Sequence, residues 1–112
     1  MTVGIVVVSH SPRLAEGVCE LAREMGVGRV AVEAAVAAAG SGMGVVLLAD
    51  IGSSVLTARM FLEDRGGGDL ALADAPLVEG AVAAASAAGG EADLSAVVRA
   101  AESAWSFRKV RP

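Results

Sequence analysis

The stretch Val3 to Arg13, VGIVVVSHSPR, decides the fold. Ile5 to Val8 is an unbroken β-branched run, suited to a strand buried on both faces of a parallel sheet, and it stops abruptly at polar residues. Ser9 and His10 are left at the strand's carboxyl end. Ser11 and Pro12 form a helix-start pair: the hydroxyl caps free backbone N–H groups, and proline already holds helical φ at the first position. The chain's one histidine therefore falls between a buried strand and a helix N-terminus. Such a place is electropositive and rich in unpaired donors, so it favours an anion, and a histidine there could carry a phosphoryl group.

Working outward, Leu14, Val18, Leu21, Ala22 and Met25 recur at helical spacing, with Arg13, Glu16, Glu20, Arg23 and Glu24 on other positions. This predicts an amphipathic helix ended by Gly26 and Gly28, with Cys19 as a small buried side chain inside it. Val27 to Val32 reads as a second short strand. It runs straight into Glu33 and an alanine-rich run to Ala39 without the usual loop of about 2–6 residues. Either a loop is missing there or Val30 to Ala39 is one helix. Gly40 to Gly44 precedes a strand instead of following one, so it is a turn and not a dinucleotide fingerprint. Val45 to Ala49, VVLLA, is the second clear buried strand, and Asp50-Ile51-Gly52-Ser53-Ser54 repeats the polar exit seen at His10. A helix follows from Ser54 to Asp64, with Val55, Leu56, Met60 and Phe61 as packing residues, stopped by Gly66 to Gly68. Leu70 to Ala73 is a last strand, Leu77 to Ala88 a small-residue helix packed close to the sheet, and Asp93 caps a final helix through Ala104.

Alternating strands and helices specify an α/β fold: an open, mainly parallel sheet of about four strands with helices on both faces and right-handed crossovers. Ligands bind such sheets at the carboxyl edge. Three loops end there: His10, Asp50 to Ser54, and Asp74 to Glu79.

Composition narrows the field. A chain of 112 residues is read as one domain, residues 1–112. Hydrophobic residues make up 54% and mean hydropathy is +0.61, yet no run approaches the roughly 18 apolar residues of a membrane span. The N-terminal apolar run lacks a basic lead, so no signal peptide and a cytoplasmic location are expected. One histidine and one cysteine cannot build an ordinary zinc cage, so no metal is expected. A net charge of −4 and three aromatic residues, Phe61, Trp105 and Phe107, argue against nucleic acid. Arg108, Lys109 and Arg111 form a basic tail, read as solvated or as a contact for an acidic partner.

A phosphohistidine carrier needs an imidazole with one free nitrogen, a carboxylate to hold the other, and donors for the phosphoryl oxygens. His10 is the candidate acceptor and Asp50 the residue placed to orient it. Backbone amides at Gly52, Ser53 and Ser54, with those after Ser11, could cradle the anion. Each has a plainer reading: Asp50, Ser53 and Ser54 are ordinary helix-start residues, Glu79 complements a helix dipole, and Arg13 lies on a solvated face.

VVVSHSPRLAEGVCELA, GVVLLADIGSSVLTA and DAPLVEGAVAAA, in this order, resemble the phosphohistidine subunit of phosphotransferase-dependent dihydroxyacetone kinases, a relative of the mannose-type EIIA domain. The resemblance implies that His10 is phosphorylated by the histidine-containing phosphocarrier HPr with phosphate drawn from phosphoenolpyruvate. The phosphoryl group would pass to ADP held on a nucleotide-binding subunit, which acts with a dihydroxyacetone-binding subunit. It also implies pairing of Asp50 with His10, no cofactor bound directly, and a homodimer. Members of that family carry a longer loop where this chain passes from Val32 to Glu33. The main alternative is a two-component receiver, because Asp50 after VVLLA resembles its phosphoacceptor. That family needs an acidic pair after the first strand and a lysine after a late one, whereas His10 stands first here and Lys109 is in the tail. A degenerate, non-catalytic binding module is the other.

Overall fold

The computed structural model describes residues 2–25, 32–33, 42–65 and 69–110, with residues 32, 33 and 65 described by their backbone alone. Gly4–Val8 (β1) and Val45–Ala49 (β3) form the centre of the sheet. They pair in parallel from Gly4 with Val45 to Val8 with Ala49. Val32–Glu33 (β2) lies outside β1, with Ile5 opposite Val32, and Leu70–Leu72 (β4) lies outside β3, with Leu47 opposite Leu72. The order β2-β1-β3-β4 is the expected open parallel sheet of four strands. β-Branched and leucine side chains on both faces make β1 and β3 central, since only a strand covered twice can bury a continuous apolar run. Gly44 admits the chain to β3 at φ +101, where a Cβ would stand 3.0 Å from the Asp69 carbonyl oxygen. That carbonyl is already engaged by the Val45 N–H at 2.8 Å.

Period-two alternation sorts the strand residues into two cores. Ile5, Val7, Val46 and Leu48 meet the helices Pro12–Met25 (α1), Leu77–Gly89 (α3) and Leu94–Ser103 (α4). Val6, Val45 and Leu47 meet Ala58, Phe61 and Leu62 of Gly52–Arg65 (α2) on the other side. The handedness of crossovers explains the division. α1 leads from β1 toward one edge and α2 leads from β3 toward the other, so right-handed connections place them on opposite faces.

Two helix faces differ from the sequence expectation. On α1 the buried stripe is Ala15, Val18, Cys19 and Ala22, while Leu14, Leu21 and Met25 are 42%, 42% and 45% exposed. The neighbour of α1 is the alanine stripe of α3, Ala81, Ala84, Ala85 and Ala88, all fully buried. Small residues on both helices permit close approach, which turns the larger aliphatics to the margin. On α2, Val55 and Phe61 are partly buried as expected, but Leu56 and Met60 are 61% and 65% exposed, and Ser54, Ala58 and Leu62 take the inward positions. The helix also starts two residues before Ser54, because the Ile51 carbonyl accepts from the Val55 N–H at 3.0 Å and so closes its first turn at Gly52.

Elsewhere the boundaries follow the sequence. Asp93 caps α4 by accepting from the Ala96 N–H at 2.8 Å. α3 runs to Gly89 and closes with bonds from Glu91 N–H to Ala88 O and from Ala92 N–H to Ala87 O, with Glu91 in the left-handed region at φ 64. A 3-10 turn at Ala104–Ser106 follows α4. Of the expected strand Val27 to Val32, only Val32 lies within the described residues; Glu33 pairs as strand, which excludes a single helix from Val30 to Ala39. The expected helix beyond Glu33, Gly40 and Ser41 of the expected turn, and the Gly66 to Gly68 stop lie outside the described residues.

Candidate functional site

A parallel sheet that builds outward in both directions from two central strands leaves a crevice where the connections diverge. In the order β2-β1-β3-β4 that switch point lies between β1 and β3. His10 leaves the end of β1 and Asp50 the end of β3. The Asp50 N–H donates to the Val8 carbonyl at 3.3 Å as the last rung between the two strands, which sets the two exits side by side.

His10 is exposed, and among the described residues no hydrogen bond holds its ring. Asp50 is half-buried and hydrogen-bonded through both carboxylate oxygens. Its Oδ2 accepts from Ser9 Oγ at 2.6 Å and its Oδ1 from the Ile51 N–H at 2.8 Å. The expected bond from Asp50 to the imidazole is therefore not closed here; the carboxylate grips Ser9, the residue next to His10. Ser54 is 1% exposed, and its hydroxyl lies close to the carboxylate without closing a hydrogen bond of regular geometry. The Ser54 hydroxyl first, then the Ser9 hydroxyl and the Ile51 N–H, hold the Asp50 carboxyl below its ordinary value, against the opposing effect of desolvation. Asp50 is a carboxylate at neutral pH.

Gly52, Ser53 and Ser54 form the first turn of α2, so their N–H groups have no intrahelical acceptor and point toward the crevice edge. With the positive end of the helix dipole they suit an oxyanion. Ser11 behaves differently. Its Oγ caps α1 by accepting from the Leu14 N–H at 3.2 Å, and its own N–H donates to Ser9 Oγ at 3.0 Å, so only its hydroxyl proton remains for a ligand. Leu14 and Ile51, 42% and 57% exposed, lie on the α1 and β3 exits that carry His10 and Asp50.

The third loop, Asp74 to Glu79, meets the β3 and α2 side of the site, where Ala49, Val55 and Asp74 line one cavity. It leaves β4, one strand further out, and is tied to the C-terminal segment. The Asp74 N–H donates to Glu102 Oε2 at 2.9 Å and the Asp74 carbonyl accepts from Trp105 Nε1 at 2.8 Å. Glu79 pairs with Lys109, which holds its carboxyl below the ordinary value. Lys109 of the basic tail thus finds an acidic partner within the chain. A cavity of about 250 Å³ beside this loop is lined by Ala49, Val55, Arg59, Leu72, Ala73 and Asp74. A larger apolar groove of about 500 Å³, which includes Met25, Val78, Val82 and Phe107, lies along α3 away from His10. Sequence reasoning missed Ser9, although a hydroxyl two residues before an N-cap serine is a recognisable turn former. Among the described residues no cluster of histidine, cysteine and carboxylates could hold a metal, and no helix is long and apolar enough to cross a membrane.

The fold and the crevice define a class: an open parallel α/β domain that presents a histidine and a carboxylate at its β1/β3 switch point. Residues 24–98 match the EIIA-man family model, described as PTS system fructose IIA component, and the chain belongs to that family. The chain is 33% identical to the phosphoryl donor subunit DhaM of phosphoenolpyruvate-dependent dihydroxyacetone kinase from Providencia stuartii, over 91% of this chain and 26% of the relative. It is 34% identical to the DhaM of Escherichia coli over 86% of this chain and 25% of the relative. The chain spans about a quarter of the length of these curated relatives. The Providencia match runs over 127 positions, more than the 112 residues of this chain, so the relative holds internal residues that this chain lacks. A crystal structure of EF1359, a protein of unknown function, superposes with a TM-score of 0.72 at 28% identity, covering 92% of this chain and 95% of that one. The family displaces the receiver alternative.

Proposed function

We propose that this chain is a phosphoryl carrier in which His10 accepts a phosphoryl group from HPr and passes it to ADP on a nucleotide-binding subunit of a phosphoenolpyruvate-dependent dihydroxyacetone kinase. The observation that carries this reading is the exposed His10 beside the ionised Asp50 at the switch point, with the first turn of α2 facing the same crevice. In the first step a lone pair of one imidazole nitrogen attacks phosphorus, the N–P bond forms, and the bond to the donor's nitrogen breaks. In the second, an oxygen of the ADP β-phosphate attacks the same phosphorus and the imidazole leaves. Such transfers need positioning and charge stabilisation more than covalent assistance. The N–H groups of Gly52, Ser53 and Ser54 would receive the equatorial oxygens, with the Ser11 hydroxyl proton as a further donor. Asp50 fixes the turn and offers its remaining lone pairs to the nitrogen that does not react. The exposed Leu14 and Ile51 give protein partners an apolar rim. On this reading the chain works in the cytoplasm as a homodimer, with HPr and the two kinase subunits as partners, and itself holds no cofactor, nucleic acid or membrane.

The test is incubation with phosphoenolpyruvate, enzyme I and HPr, followed by intact-mass measurement at neutral to alkaline pH, where phosphohistidine survives. One added phosphoryl group on the wild-type chain and none on His10→Ala is the expected result. Equal labelling of the two would refute the assignment of His10. No labelling of the wild type by active donors would leave a degenerate binding module.

A further inference from the structure

Ser9 joins the two halves of the crevice. Its Oγ donates its one proton to Asp50 Oδ2 at 2.6 Å and accepts from the Ser11 N–H at 3.0 Å. A hydroxyl has one proton and two lone pairs, so these two contacts run in opposite senses through a single oxygen. The first reaches 41 residues along the chain to the exit of β3, and the second spans only two residues, enclosing His10 in a tight turn. Ser11 continues the chain of bonds by capping α1 through Leu14. Backbone pairing between β1 and β3 ends at the bond from Asp50 N–H to Val8 O, so the Ser9 side chain extends the ladder one step beyond the sheet. Asp50 is held on its other oxygen by the Ile51 N–H, and this leaves it no freedom to turn.

We propose that Ser9 is a positioning residue for phosphoryl transfer: its hydroxyl locks the Asp50 carboxylate to the start of α1, so that His10 is presented from a backbone turn clamped at both ends. The inference rests on His10 being the acceptor. A carboxylate has about four lone-pair sites, of which Ser9 and Ile51 take two, so the clamp leaves Asp50 able to accept an imidazole N–H when a phosphoryl donor arrives. Loss of the clamp frees the carboxylate to rotate and the turn to open, without removing any group that touches phosphorus.

The experiment compares the wild type with Ser9→Ala and Ser9→Thr. Phosphoryl uptake is measured over a range of phospho-HPr concentrations, and the Asp50 carboxyl carbon is followed by NMR through an acid titration. Ser9→Ala should lower the transfer rate at saturating donor about tenfold or more, the scale of a lost bond to a charged group, while the donor concentration for half-maximal rate changes by less than about twofold. Ser9→Thr, which keeps the hydroxyl, should recover most of the rate. The Asp50 carboxyl should titrate higher in Ser9→Ala than in the wild type. An unchanged saturating rate in Ser9→Ala, or a Ser9→Thr variant as slow as Ser9→Ala, would overturn the proposal. Should the wild type take up no phosphoryl group, the function reading fails alone; the carboxyl titration still decides the clamp, and an Asp50 signal unmoved by Ser9→Ala refutes it. If Ser9→Ala does not fold, Ser9→Cys, which keeps only a weak donor, carries the same comparison.

Discussion

Asp50→Asn tests the carboxylate without reference to any partner protein. The substitution keeps size and removes one acceptor. In the wild type both carboxylate oxygens are used, Oδ2 on Ser9 Oγ at 2.6 Å and Oδ1 on the Ile51 N–H at 2.8 Å. An amide has a single acceptor oxygen. If that oxygen stays on Ile51, the NH₂ faces a Ser9 hydroxyl that already accepts from Ser11 and must now reverse its proton. If the oxygen turns to Ser9, the Ile51 N–H faces a donor. Bonds to charged groups contribute about 1.5–3 kcal/mol and neutral ones about 0.5–1.5, so converting one bond and misdirecting the other costs about 1–2 kcal/mol at this half-exposed site. For a domain of this size that is a fall in Tm of about 4–8 °C. The pH dependence has a definite sign. The Asp50 carboxyl is held below its ordinary value of 3.8 by the Ser54 hydroxyl first, then by Ser9 and Ile51, so the folded chain binds fewer protons there than the unfolded chain. Its contribution is complete above about pH 3.8 and disappears as pH falls through the lower folded value. Urea unfolding of both proteins, followed by Trp105 fluorescence at about pH 7, 5 and 3, should show the full gap at the two higher values and a closing gap at the lowest. No gap at neutral pH, or one undiminished in acid, would refute the account of Asp50 as an engaged carboxylate.

Two stability predictions accompany it. Gly80 sits in α3 where a Cβ would lie 2.9 Å from the Ala75 Cβ and 3.4 Å from Leu48 Cδ2; Gly80→Ala gains about 1 kcal/mol of helix propensity and loses about 1–3 to overpacking, so a net loss near 1 kcal/mol is expected in urea unfolding, and a stabilised variant would contradict the packing. Glu91 closes α3 at φ 64; Glu91→Gly relieves about 1–2 kcal/mol of left-handed strain against roughly 0.5–1 of added chain entropy, so Tm should rise slightly, and a clear fall would show that the Glu91 side chain contributes something beyond its backbone.

The strands and the sheet were legible because β1 and β3 bury both faces and must therefore be apolar without interruption. Helix faces were less so. Leu14, Leu21 and Met25 have the right spacing for a stripe, but spacing alone does not say that Ala81, Ala84 and Ala85 of α3 will press α1 from the other side and select its alanines instead. His10, Asp50 and the start of α2 were legible as strand exits. What hid Ser9 was chemistry across the sheet. Its partner is 41 residues away, and the register that makes them neighbours exists only once Val8 is paired with Ala49.

The strand-to-helix junction that the sequence places between Val32 and Glu33 is not there: both residues pair with β1 as β2, at the outer edge of the sheet. His10 and Asp50 descend from β1 and β3, which pair directly over five residues, whereas β2 meets β1 in the register of Ile5 with Val32 and Val6 with Glu33. Both registers with β2 engage the middle of β1, two residues short of its exit. The Ser9, Asp50 and Ser11 bonds close across the switch point itself, between the exits of β1 and β3. What joins the carboxylate to the turn that carries His10 is the central pair of strands, together with the Ser9 hydroxyl that bridges their exits.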